Sequence, residues 1–122
     1  MVGFRVDKEK NILFVTISGE VMRDKAQEYI AQFAEKAAEL KDNFAIISDY
    51  SLFKATSEKD YELICKVTAT MSAKFKIGKI IRVVGGAKEN LAGFKKYCND
   101  AHIENISYVA TKKAALDLVN KQ

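Results

Sequence analysis

The chain has 122 residues, 48% of them hydrophobic and 30% charged, with no proline and a net charge of +4. That is the size of one domain able to bury an ordinary core, and the mix excludes a disordered or low-complexity chain. The charge is uneven: residues 1–65 carry 9 basic and 12 acidic side chains, residues 66–122 carry 11 and 4.

Val2, Phe4 and Val6 alternate with Gly3, Arg5 and Asp7, the period of a half-buried strand. Lys8 to Asn11 is a polar turn, and Ile12 to Ser18 is a second strand, apolar on both faces and therefore more central. The short connection predicts a hairpin. After Gly19 the period becomes helical, roughly from Met22 to Lys41, with Met22, Ala26, Tyr29, Ile30, Phe33, Ala37 and Leu40 on one stripe. Phe44 to Asp49 reads as a buried parallel strand, and Tyr50 to Thr56 as a connecting loop. Ser57, with Asp60 three residues on, has the form of a capping box for a helix reaching Phe75. Lys76–Gly78 is a turn, Lys79–Val84 a strand, and Gly85-Gly86 a break. Leu91, Phe94 and Tyr97 or Cys98 then stripe a short helix. Asn105 to Ala110 is a last strand, and Thr111 caps a final helix. The order ββαβαβαβα predicts an α/β fold. Its mixed, mostly parallel five-stranded sheet is flanked by four helices, and the hairpin supplies an antiparallel edge strand.

Three stretches resemble the STAS domain, the sulfate-transporter and anti-sigma-factor-antagonist family, in its SpoIIAA-like form. They are Ile17-Ser18-Gly19-Glu20-Val21 ahead of a helix with Ala26 and Ile30, Phe44 to Asp49, and Asn105 to Thr111 followed by Ala115-Leu116. The resemblance implies a non-enzymatic regulatory domain with a protein partner. Typical members carry Asp-Ser-Ser-Gly after the third strand, where one serine is phosphorylated. Here the corresponding stretch is Thr56-Ser57-Glu58-Lys59, which keeps a serine but not the flanking Asp and Gly. Ser57 is thus either a phosphosite at a helix N-terminus, which the dipole favours, or a plain N-cap.

Asp49 stands at the carboxyl end of a predicted parallel strand, where open α/β sheets gather ligands. With Tyr50, Ser51, Lys54, Thr56 and Ser57 it forms the candidate interaction surface, the alternative being ordinary loop hydrogen bonding. A different class of function, small-molecule binding, would use an apolar cavity near Tyr50, Phe53, Met71 and Phe75. Gly85-Gly86-Ala87-Lys88-Glu89-Asn90, between a strand and a helix, reads as a tight turn in preference to a phosphate cradle. His102, the only histidine, has no nucleophile placed beside it by motif.

No cofactor motif and no metal-ligand spacing is present, so neither a cofactor nor a metal is expected. Between Lys66 and Lys96 lie eight basic residues and one acid, but the aromatics among them fit helix-core stripes, so nucleic-acid binding is not expected. No apolar run approaches the roughly 20 residues of a bilayer span. The segment Met1–Arg5 lacks the features of a signal peptide, and a cytoplasmic location is expected. Cys65 and Cys98 accordingly read as two buried thiols in a reducing compartment. The exposed edge strand admits a homodimer by self-pairing.

Overall fold

The computed structural model describes residues 1–86, 88–98 and 105–120. Strands β1 (Val2–Asp7), β2 (Ile12–Gly19), β3 (Phe44–Phe53), β4 (Ile77–Val83) and β5 (Ile106–Val109) form one sheet in sequential order. The first pair is antiparallel and the other three are parallel. Helices α1 (Ala26–Ala37), α2 (Glu58–Lys74) and α3 (Lys88–Tyr97) are the crossovers, and α4 (Lys112–Asn120) follows β5. A 3-10 turn at Arg23–Lys25 precedes α1.

Sequential order with crossovers of one hand puts α1, α2 and α3 on the same face. The core agrees. Leu13, Val15, Ile17, Phe44, Ile46, Tyr50 and Ile80 pack with Phe33 of α1, Tyr61, Ile64 and Met71 of α2, and Phe94 of α3. The other face carries Ile12, Phe14, Ala45, Ile47, Ile81 and Val83, with Ala115 of α4 packed against them. Strand alternation explains the division, since neighbours in sequence serve opposite cores.

Three expectations are corrected here. β3 runs on through Phe53, so Tyr50 to Phe53 are strand and not loop. The register against β2 slips between Thr16, opposite Asp49, and Ser18, opposite Leu52. One extra residue is thus inserted in β3, a bulge that breaks the period of two and disguises the strand. The first helix is shorter at both ends than Met22–Lys41, and Met22 is half exposed. Cys65 and Cys98 are not separate thiols: they form a disulfide joining α2 to the end of α3, with Cα atoms 5.6 Å apart. They stand 33 positions apart in sequence, so no local motif announces the pair. Among the described residues no helix is long and apolar enough to cross a membrane.

Candidate functional site

The carboxyl end of β2 and β3 and the start of α2 come together at one end of the sheet, and most of the expected site residues lie there. Ser51 donates from both its backbone N–H (2.9 Å) and its Oγ (2.6 Å) to Asp49 Oδ1. This short loop of bonds holds the bulge. Lys54 is exposed, and its N–H donates to the Gly19 carbonyl at 2.8 Å, extending the pairing past the last strand residue. Thr56 donates from N–H (2.7 Å) and Oγ1 (2.8 Å) to Asp60 Oδ2. Ser57 is the N-cap of α2, its Oγ accepting from the Lys59 N–H at 3.2 Å. The capping box is therefore rearranged. Asp60 reaches back to Thr56, and its other oxygen lies 3.7 Å from Arg23 Nε, tying the entry of α1 to the entry of α2.

Tyr50 departs from the expected surface. It is buried on the helix-covered face, its ring 4.7 Å from Phe94 and 5.8 Å from Phe53. Burial raises the Tyr50 pKa, with the nearby Arg82 guanidinium acting against that rise. Arg82 is itself buried on β4, where it donates to Tyr108 Oη (2.8 Å) and Thr68 Oγ1 (3.1 Å) and lies over the Phe94 ring. Tyr61 is likewise raised, first by burial and then by the charges of Glu89 and Asp60.

Two residues outside the expected interaction surface shape this end. Leu52 is 74% exposed although it lies within β3, because the bulge turns it to solvent while Phe53 enters the core. A large apolar side chain so displayed, with half-exposed Met22 at the same end of the sheet, is the kind of feature that partner surfaces use. The other is Asn90 of α3. It is buried, its amide donates to the carbonyls of Tyr50 (2.9 Å) and Phe53 (3.2 Å), and its Oδ1 accepts from Tyr61 Oη (3.0 Å). One side chain thus satisfies the carbonyls on both sides of Leu52 and fixes how that segment is presented. Hydrophobic periodicity gives no sign of such a buried asparagine.

The Gly85-Gly86 turn is explained by the backbone. Gly85 has φ +69°, and a Cβ there would lie 2.9 Å from that of Ser51, so the turn after β4 presses directly against the bulge. Ala87 and the segment with His102 lie outside the described residues. Among the described residues no group of three or more His, Cys, Asp or Glu is placed to hold a metal ion.

The apolar cavity exists between the sheet and helices α1 and α2. Tyr50 and Met71 line it, with Phe33, Ile46, Ser48 and Thr68, whereas Phe53 and Phe75 do not. Its volume is about 60 Å³. Ligand pockets for drug-sized molecules are roughly 300–1,000 Å³. An occupant of that size requires α1 and α2 to separate.

No family model matches the chain, and no curated protein matches it in sequence. Solved structures do match in shape. The anti-sigma factor antagonist SpoIIAA in its unphosphorylated form superposes with a TM-score of 0.62 at 12% identity, covering 100% of both chains. The phosphorylated form of SpoIIAA, a Bacillus cell fate determinant, gives 0.59 at 11% identity, covering 98% of this chain and 100% of that one. An uncharacterized protein with a SpoIIAA-like fold from Shewanella loihica PV-4 gives 0.66 at 12% identity, covering 98% of this chain and 92% of that one. At such identity the likeness concerns architecture alone, and in architecture the chain has a SpoIIAA-like fold.

Proposed function

We propose that this chain is a non-enzymatic, protein-binding regulatory domain, and that its partner docks on the carboxyl end of β3 and the first turn of α2. The observation that carries this reading is Leu52, an apolar side chain held out in water by a bulge whose backbone is pinned by Asn90. Exposed Lys54 and Thr56, with Asp49, Ser51 and Ser57, give that apolar centre the polar border of a protein interface. The fold supports the reading by analogy, since one similar structure is that of an anti-sigma factor antagonist. Tyr50 contributes as a buried support and not as a contact.

Ser57 is the residue at which such a surface would be switched. Its Oγ stands at the N-terminus of a 17-residue helix, where a phosphate is favoured by the dipole. The test places a photo-crosslinking residue at position 52 and, as a control, at the exposed position 66 on α2, in the chain expressed in its own cells. A single protein captured from position 52 and not from 66 supports the reading. Equal capture from both refutes it. If Ser57→Glu leaves that capture unchanged, the switch fails while the docking surface stands. A small molecule recovered with the chain would shift the weight to the cavity, and a crosslink to a second copy would identify a homodimer.

A further inference from the structure

The sheet face opposite α1–α3 is unevenly covered: α4 packs over β3, β4 and β5, and Ile12 and Phe14 of β2 are buried, whereas Arg5 and Thr16 are exposed and Gly3 is half-buried. The uncovered part is a groove of about 260 Å³ lined by Gly3, Arg5, Phe14, Thr16, Asp49 and Lys112. Register places these residues together. Gly3, Thr16 and Asp49 form one row across β1, β2 and β3, and Arg5, Phe14 and Ile47 form the next. The Arg5 guanidinium lies 4.2 Å from the centre of the Phe14 ring and the Lys112 ammonium 5.0 Å from it. Two cations thus converge on one ring, and among the described residues neither is in a salt bridge. Lys112 is also the first residue of α4, whose first turn has no acid, and the helix dipole disfavours a cation there. Each of these terms raises the positive potential at one end of the groove. At the other end Asp49 supplies a carboxylate, fixed by Ser51 at a single oxygen.

From this arrangement we propose a second binding site in the groove, for a small zwitterion. Its carboxylate sits between Arg5 and Lys112, and its ammonium sits at Asp49. Lateral strand spacing and rise per residue put the Cα atoms of Arg5 and Asp49 roughly 12 Å apart, and inward-reaching side chains leave room for a short linear molecule between the charges. The groove shares only Asp49 with the docking end of β3, and the two sites are separable by substitution at Arg5 and Gly3.

The probe is a series of ω-amino carboxylates of three to eight carbons, titrated into the whole chain and followed by backbone amide shifts. The expected result is shifts confined to the groove residues, an affinity maximum at an intermediate length, and weakening with added salt. The fatty acid of that length, lacking the ammonium, binds at least about tenfold more weakly. Arg5→Gln weakens binding at least about tenfold. Gly3→Leu abolishes it by filling the groove, at a position where a Cβ itself meets nothing within 4 Å. No groove shifts with any member of the series overturns the proposal, as does equal binding of the fatty acid.

Discussion

Gly93 stands where helix propensity and packing oppose each other, and the balance can be worked out. It lies inside α3, and replacing a helical glycine by alanine ordinarily gains about 1 kcal/mol. Here a Cβ would fall 2.2 Å from Cζ, 2.4 Å from Cε2 and 2.7 Å from Cε1 of Tyr61, far inside any non-bonded carbon contact. The Tyr61 ring cannot simply swing away, because it packs against Phe53 (5.7 Å) and Phe94 (5.1 Å) and its hydroxyl is bonded to Asn90. Overpacking costs about 1–3 kcal/mol. The lost hydrogen bond adds about 1 kcal/mol, and the aromatic contacts about 0.5–1.5 kcal/mol each. Gly93→Ala should therefore destabilise by about 2–6 kcal/mol after the propensity gain is subtracted. Urea unfolding read by circular dichroism measures this directly. In a Tyr61→Ala background the obstacle is gone, and the same substitution should become stabilising by about 1 kcal/mol. If Gly93→Ala alone is as stable as the parent, α3 does not approach α2 as closely as described.

Asn90→Ala leaves the Tyr50 and Phe53 carbonyls and the Tyr61 hydroxyl without their buried partner. A loss of about 2–4 kcal/mol is expected, with amide exchange accelerating around Leu52, and exchange unchanged at residues 50–54 would show that Asn90 does not hold the bulge. The Tyr50 pKa is raised above 10.0 by burial, so its contribution to stability is complete below that value and is lost as pH climbs through the folded-state pKa. Tyr50→Phe should accordingly flatten the fall in melting temperature above about pH 10, and an identical fall in both proteins would contradict the assignment. The disulfide closes a sequence separation of 33, which chain entropy values at roughly 3–4 kcal/mol. Adding dithiothreitol should lower the melting temperature of the parent and leave Cys65→Ser/Cys98→Ser unaffected, and a parent insensitive to reductant would remove the bridge from the account.

Period and punctuation carried the architecture. The alternation in Val2–Val6, the apolar run at Phe44–Ser48 and the stripe through Ile30 and Phe33 each report a burial pattern, and burial is what residue type encodes. The ends of elements were less legible for a local reason. Tyr50, Ser51, Leu52 and Phe53 look like loop because the bulge puts two successive side chains out of phase, and only the partner strand reveals the slip. The site was half visible. Ser57 and Asp60 announce a helix start, but that Asp60 turns to Thr56 and Arg23 depends on the path of the chain before α1. Asn90, Arg82 and the Cys65–Cys98 bridge are long-range partners, and no pattern within one segment encodes a contact made by another. The groove depends on where α4 settles, over β3, β4 and β5, which no pattern within β1 or β2 encodes.

The central claim is that a protein partner docks over Leu52, and native mass spectrometry of the chain isolated gently from its own cells tests it most directly. Leu52→Lys is the matched control, since so exposed a position tolerates the change within about 0.5–1 kcal/mol. The account predicts a complex carrying the added mass of one protein in the parent sample and its loss in the Leu52→Lys sample. A bare chain in both, or a complex that survives the substitution, would contradict it.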